Sequence, residues 1–228
     1  MPTGWFALTV LAGANWRERW VAALGALLGI GLAGLASTLL VADPGVGLLL
    51  AAPIGASAVL VFAVPSSPMG QPWPVIGGNL VSALVGIAVA RWLGHNALAA
   101  GVAVSAAIVA MSAARCLHPS GGGTALLGVL GGEAVLSHGY AFALVPVALN
   151  AILLVVVGIA FHRVSGHSYP HRTAAVPEHS RLLGEDIDAA LADLGETFDV
   201  AREDLEALLE RAERHAEARR RRKPGARK

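Results

Sequence analysis

Through residue 172 the apolar residues come in long runs, with no alternation at every second or every third to fourth position, so these runs leave no face for water. A helix crossing the roughly 30 Å hydrocarbon core of a bilayer needs about 20 such residues. Six segments reach or approach that length: 21–42, 45–64, 75–93, 97–114, 120–136 and 140–161. The first is uncharged and is preceded by Trp16, Arg17, Arg19 and Trp20, which suit a membrane interface. The second is interrupted by Pro53 and Gly55, the fifth is short and rich in glycine, and the sixth contains Pro146 and Asn150. Between segments two and three, the four prolines of 65–74 (PSSPMGQPWP) predict irregular chain. After Ser180 the pattern becomes that of amphipathic helices. Ile187, Leu191 and Leu194 form one stripe, Gly195 interrupts, and Asp199 is placed to cap a second helix. The second stripe is Leu205, Leu208, Leu209 and Ala212, and it runs into the basic residues Arg219–Lys223 before Pro224.

This pattern predicts an all-α fold: a polytopic membrane bundle over 1–172 with two broken or re-entrant segments, followed by a charged, water-exposed helical tail over 173–228. Composition agrees. The chain is 55% hydrophobic, yet residues 1–172 hold only six arginines (17, 19, 91, 115, 163 and 172) and three acids, Glu18, Asp43 and Glu133. Nine charges cannot hydrate the surface of a soluble domain of that size, so an ordinary soluble enzyme is excluded. No broad basic surface supports nucleic-acid binding. A single cysteine, Cys116, rules out an intramolecular disulfide. The first apolar run lacks a cleavage pattern and reads as a retained anchor.

Segments two and five suggest an internal duplication. Gly55-Ala-Ser-Ala-Val-Leu-Val aligns with Gly122-Gly-Thr-Ala-Leu-Leu-Gly, each shortly after a proline, and Asn79 with Gly86 parallels Asn150 with Gly158. The unit would be helix, broken helix, helix. Paired interrupted segments of this kind point to a transport site. Two topologies follow. With six spanning segments, Arg91 faces outward and Arg115 inward; with segments two and five re-entrant, Arg91 joins Arg17, Arg19, Arg163 and Arg172, and Arg115 stands opposite. Counting charges favours the re-entrant version. Either way both termini share one face, expected to be cytoplasmic.

Polar groups are costly in hydrocarbon, so the few present mark candidate chemistry. The densest cluster is Arg115, Cys116, Leu117, His118, Pro119, Ser120, Gly121, Gly122, Gly123 and Thr124. Pro119 suits the first position of a helix, and the glycines leave N–H groups bare. A helix start with free donors and the positive end of the dipole favours an anion, which Arg115 and His118 would attract. Pro53, Gly55 and Ser57 could supply a second set of donors. Packing competes with this reading: the pairs Gly25/Gly29 and Gly128/Gly132 read as helix contacts. Asn79 and Asn150 read as interhelical hydrogen-bond partners or pore-lining groups, and His118 as a structural residue or a proton carrier. His162, His167 and His171 look interfacial. No second ligand lies at metal spacing from His118, and no cofactor is expected. No Walker loop, HExxH or GxSxG is present, so no enzyme chemistry is expected.

The stretches 55–72 (GASAVLVFAVPSSPMGQP), 76–79 (IGGN) and 117–126 (LHPSGGGTAL) resemble the HPP family of integral membrane proteins, named for a His-Pro-Pro motif. The resemblance covers roughly residues 15–172, and Ser120 stands where the second proline of that motif would be. It implies a compact membrane domain with four transmembrane helices, and some plant and cyanobacterial members are linked to nitrite transport. The tail resembles the linker that leads to paired CBS domains in some bacterial members; adenine-nucleotide regulation is not expected in this polypeptide. The resulting expectation is a bacterial inner-membrane transporter or channel for a small inorganic anion, nitrite or a similar oxyanion. Its substrate would be bound by Arg115, His118–Thr124, Pro53, Gly55, Ser57, Asn79 and Asn150. The alternative is a non-transporting scaffold or sensor acting through the tail. Expected partners are the lipid bilayer, further copies of the chain through small-residue faces, and anionic lipid at Arg219–Lys223, worth about 1 kcal/mol per charge.

Overall fold

The computed structural model describes residues 16–40, 51–172, 183–194 and 199–222, and the described residues are helical with no strand. Helix α1 (Trp16–Leu40) begins before the apolar run, because Arg17, Glu18 and Arg19 favour helix and form its first turn. Helix α2 (Ala51–Ala58) loosens into a π turn over Val59–Ala63. Helix α3 (Pro72–Leu93) starts inside the proline-rich stretch expected to be irregular. Pro72 and Pro74 sit in its first turn, where a missing N–H costs nothing, so they open the helix. Helix α4 (Ala97–Ala113) is capped by Asn96, whose side chain accepts a hydrogen bond from Ala99 N at 2.9 Å. Helix α5 (Pro119–Leu130) stops at Gly131 and Gly132, short of the expected end, and α6 (Glu133–Leu136) is a separate turn. Helix α7 (Leu149–Ser165) follows a π turn over Ala143–Ala148 that contains Pro146. The tail forms α8 (Gly184–Leu194) and α9 (Arg202–Arg222). Among the described residues, three helical stretches, Trp16–Leu39, Pro72–Leu93 and Ala143–Ser165, are long and apolar enough to cross a membrane. Asp43 and Pro44, residues 45–50 of the second segment, 173–182, Gly195, and Lys223 with Pro224 lie outside the described residues.

Side-chain contacts give the direction of each segment. α1 and α7 are antiparallel: Gly25 faces Phe161, Gly29 faces Leu154, and Ser37 bonds Asn150. α2 descends to the C-terminal end of α7, where Val61 O accepts from His162 Nε2 at 2.8 Å. α3 starts at that same end, and its Trp73 Nε1 donates to Ala114 O at 3.2 Å. Its far end carries Arg91, whose guanidinium lies 5.3 Å from the centroid of Tyr140. α5 rises from this first end to the opposite one, where His95 Nδ1 donates to Val129 O at 2.6 Å. The described parts of segments two and five, 51–64 and 120–136, therefore lie between helix ends at opposite ends of the bundle. They are broken, not re-entrant, and the alternating path is that of the six-segment topology. The arginine standing apart is Arg91; Arg115 lies at the end where the tail attaches. Charge counting misassigned them because it could not see Tyr140 as a partner for Arg91.

The two triplets α1–α2–α3 and α4–α5–α7 pack alike and run in opposite senses. α1 lies on α2 and α7 as α4 lies on α5 and α3, and α2 meets α5 at the centre. Positions matched by the sequence duplication make matching contacts. Gly128 of α5 faces the backbone of Gly86, and Val61 in the π turn after α2 faces Gly158. A Cβ on Gly128 would lie 2.8 Å from the Gly86 carbonyl carbon, so only glycine permits that approach of α3 and α5. The apolar core divides accordingly. One cluster joins Phe62, Val61, Leu154 and Val155, and another joins Ala99, Ala103, Ala107, Met111 and Ala125.

Candidate functional site

Where α2, α3 and the start of α5 meet, a polar cluster is sealed inside the apolar bundle. Ser57, Asn79, His118, Ser120 and Thr124 are all at most 3% exposed. His118 Nδ1 lies 2.8 Å from Met69 O in the Pro68–Gly70 turn. A carbonyl only accepts, so Nδ1 carries the proton, and in the neutral ring Nε2 accepts from Ser57 Oγ at 2.8 Å. Asn79 Nδ2 donates to Ser57 Oγ at 3.2 Å and to Val75 O at 2.8 Å. The carbonyl of Val75 fixes the orientation of the amide, leaving Asn79 Oδ1 to accept from Thr124 Oγ1 at 2.7 Å and Ser120 Oγ at 3.0 Å. Ser120 Oγ also reaches Pro53 O, so its one hydrogen serves two acceptors. Both hydrogens and both oxygen lone-pair directions of Asn79 are thus engaged, and the hydroxyls around it are satisfied.

Close approach in this region depends on glycine. A Cβ on Gly78 would sit 2.6 Å from His118 Cβ and 2.7 Å from Cys116 O. One on Gly121 would sit 2.5 Å from Ser82 Oγ, a buried hydroxyl without a hydrogen-bond partner, and 2.6 Å from Met111 Sδ. Gly122 is half-buried and Gly123 is exposed, with the nearest atom to a Cβ there being Pro53 Cβ at 3.7 Å. These residues therefore present the first turn of α5 on the surface of the bundle, beside α2.

The structure thus brings together Pro53, Ser57, Asn79, His118, Ser120 and Thr124 from the expected set. Pro119 opens α5, as its ring suits. Gly55 is half-buried, and no atom lies within 4 Å of where its Cβ would be. Arg115 is exposed, with φ 53°, at the turn between α4 and α5 and outside the network. Asn150 belongs elsewhere: Ser37 Oγ of α1 donates to its Oδ1 at 2.6 Å. Sequence reasoning missed Ser37, Ser82 and the Met69 carbonyl. Serines in apolar helices carry little signal, and a carbonyl carries none. Among the described residues no group of three or more His, Cys, Asp or Glu side chains could hold a metal ion.

Residues 12–170 match the family model for the HPP transmembrane region. The chain belongs to the HPP family. It is 36% identical over 120 residues to a transmembrane protein of Dictyostelium discoideum, an alignment covering 50% of this chain and 42% of that protein. With a second transmembrane protein of the same organism it shares 37% identity over 108 residues, covering 46% of this chain and 34% of the other. The chain thus spans less than half the length of these relatives. No solved structure matches it. In this HPP chain, Ser120 replaces the second proline of the name motif with a hydroxyl that joins the Asn79 network, a bond proline could not make.

Proposed function

We propose that this HPP protein carries a small inorganic anion, nitrite or a similar oxyanion, across the membrane. The observation that supports this most is the buried hydrogen-bonded cluster of Ser57, Asn79, His118, Ser120 and Thr124, set where the two broken segments meet inside an apolar bundle. In this reading the anion approaches the first turn of α5 at Gly122 and Gly123, and α2 near Gly55; the Gly121 N–H itself is taken by His118 O at 2.9 Å. The helix dipole favours it there. Arg115 concentrates anions at the tail end. The cluster is closed, so passage requires the Ser57–His118 bond to open; a proton on Nε2 would remove the acceptor that Ser57 uses. Asn150 then stabilises the α1–α7 pair and has no direct part.

Orientation follows from the arginines. Arg17, Arg19, Arg115, Arg163 and Arg172 gather at the tail end and Arg91 at the other, so the tail end is proposed as cytoplasmic, in a bacterial inner membrane. Homo-oligomers and anionic-lipid contact by the Arg219 end of α9 belong to the same reading.

In proteoliposomes, Arg115→Gln and His118→Ala should each lower nitrite flux on the order of tenfold, the equivalent of about 1.4 kcal/mol. Unchanged flux in both, with the protein correctly inserted, would overturn the site. Deleting 180–228 separates this reading from a scaffold or sensor function, which the bond between Ser67 and Asp199 of the tail favours. Flux that survives deletion makes the tail accessory. If no small anion moves and a partner is retained only through the tail, the chain is a scaffold.

A further inference from the structure

The loop at 65–71 is held from two sides. On its inner side, Met69 O accepts the Nδ1–H of His118 at 2.8 Å. Two residues earlier, Ser67 is 1% exposed, and its hydroxyl donates outward to the carboxylate of Asp199, 2.8 Å from Oδ2 and 3.0 Å from Oδ1. Asp199 stands ahead of α9, where the sequence pattern predicts a cap; the helix begins at Arg202, and the carboxylate is spent on Ser67. Gln71 closes the loop on itself, its Nε2 donating to Pro65 O at 3.0 Å and Ser67 O at 2.8 Å, while its Oε1 accepts from His171 N at 2.9 Å. His171 Nε2 in turn lies 2.8 Å from Asp204 Oδ2 in the first turn of α9. Tyr169 OH donates to Gly70 O at 3.0 Å; burial raises the phenol far above its ordinary range, so it stays a donor.

From these contacts we infer that the C-terminal helical hairpin positions the buried histidine. Asp199 acts through Ser67, and Asp204 acts through His171 and Gln71. Together they hold the loop in the conformation that brings Met69 O to His118 Nδ1. Met69 and Ser67 lie on one short turn, closed by Gly70 N to Ser67 O at 3.0 Å, so neither end can swing without moving the other. A charged acceptor makes the stronger bond to a hydroxyl, and without it the buried Ser67 hydroxyl must turn the loop to reach water. Release of the hairpin would then free the His118 ring to reorient against Ser57. The chain thus carries a contact through which its water-exposed part controls its membrane-embedded cluster. This control acts on the His118 network alone and holds whether or not the protein moves anions.

The test uses the full chain in lipid nanodiscs, reading the ring nitrogen resonances of His118, assigned with His118→Gln, and amide exchange at Ser67, Gly70 and Gln71. Asp199→Ala should speed exchange at these amides about tenfold and shift or broaden the His118 ring signals. Asp193→Ala, an exposed acid on the same hairpin, should leave both as they are. Asp199→Asn, which keeps an acceptor but loses its charge, should fall between wild type and Asp199→Ala. Wild-type exchange and ring signals in Asp199→Ala overturn the inference, as does an equal change in Asp193→Ala. Neither readout involves transport, so a failure of the anion reading leaves both outcomes interpretable.

Discussion

Asn79 and Asn150 occupy comparable places in two apolar helices, and by sequence they read alike. Their partners separate them. Asn79 makes four side-chain hydrogen bonds, to Ser57, Val75, Thr124 and Ser120, whereas Asn150 receives one from Ser37. Hydrogen bonds between membrane helices average about 0.6 kcal/mol each, so Asn79→Leu should cost about 2 kcal/mol and Asn150→Leu well under half of that. Thermal unfolding in detergent measures the difference; equal losses would mean the Asn79 cluster is not closed as described. What was legible at this scale was the chemical oddity of an amide in hydrocarbon. The identity of its partners was not, because Ser57 and Thr124 lie 22 and 45 residues away in the chain and only the fold brings them in.

At the level of helices, small residues decide which pairs approach. A methyl group on Gly128 would meet the backbone of Gly86, which cannot rotate away; one on Gly158 would meet Val61 Cγ1, which can. Gly31 has nothing within 4 Å of its Cβ position. Gly128→Ala should therefore destabilise by about 1–3 kcal/mol, Gly158→Ala by less, and Gly31→Ala should be neutral or stabilise by about 0.5–1 kcal/mol through helix propensity. Thermal melts of the three variants, in that order, check the ranking, and a destabilised Gly31→Ala would reveal a contact on the lipid-facing side of α1. The apolar runs made the helices themselves legible, including the two broken ones. Their direction was not, since it depends on contacts such as Gly25 with Phe161 and Arg91 with Tyr140 that no local pattern encodes.

At the scale of the whole molecule, the described residues form two opposed helix triplets and a helical hairpin that grips one end. The duplication in the sequence anticipated the triplets, because a repeated helix, broken helix, helix pattern survives in residue order. The attachment of the hairpin was invisible: Asp199 fits a local cap, and its partner Ser67 is 132 residues away. The second stripe also misled, for Leu208 is 61% exposed while Ala207 and Glu210 are buried. Within the hairpin, Arg202 ties α9 to α8, its Nε donating to Asp188 Oδ1 at 2.7 Å and its Nη2 to Gly184 O at 2.9 Å. The hydrogen bond from Arg202 holds the Asp188 carboxyl below its usual range. A carboxylate depressed in the folded state stabilises above its ordinary pKa, and that contribution is lost as pH falls through the depressed value. Amide exchange across α8 should therefore quicken when the protein is moved from neutral pH to about pH 3, after correction for the intrinsic pH dependence of exchange. Asp188→Asn should start with faster exchange at neutral pH and respond less to acid. If the variant keeps the full acid response, the bond between Arg202 and Asp188 is not what makes the hairpin sensitive to acid.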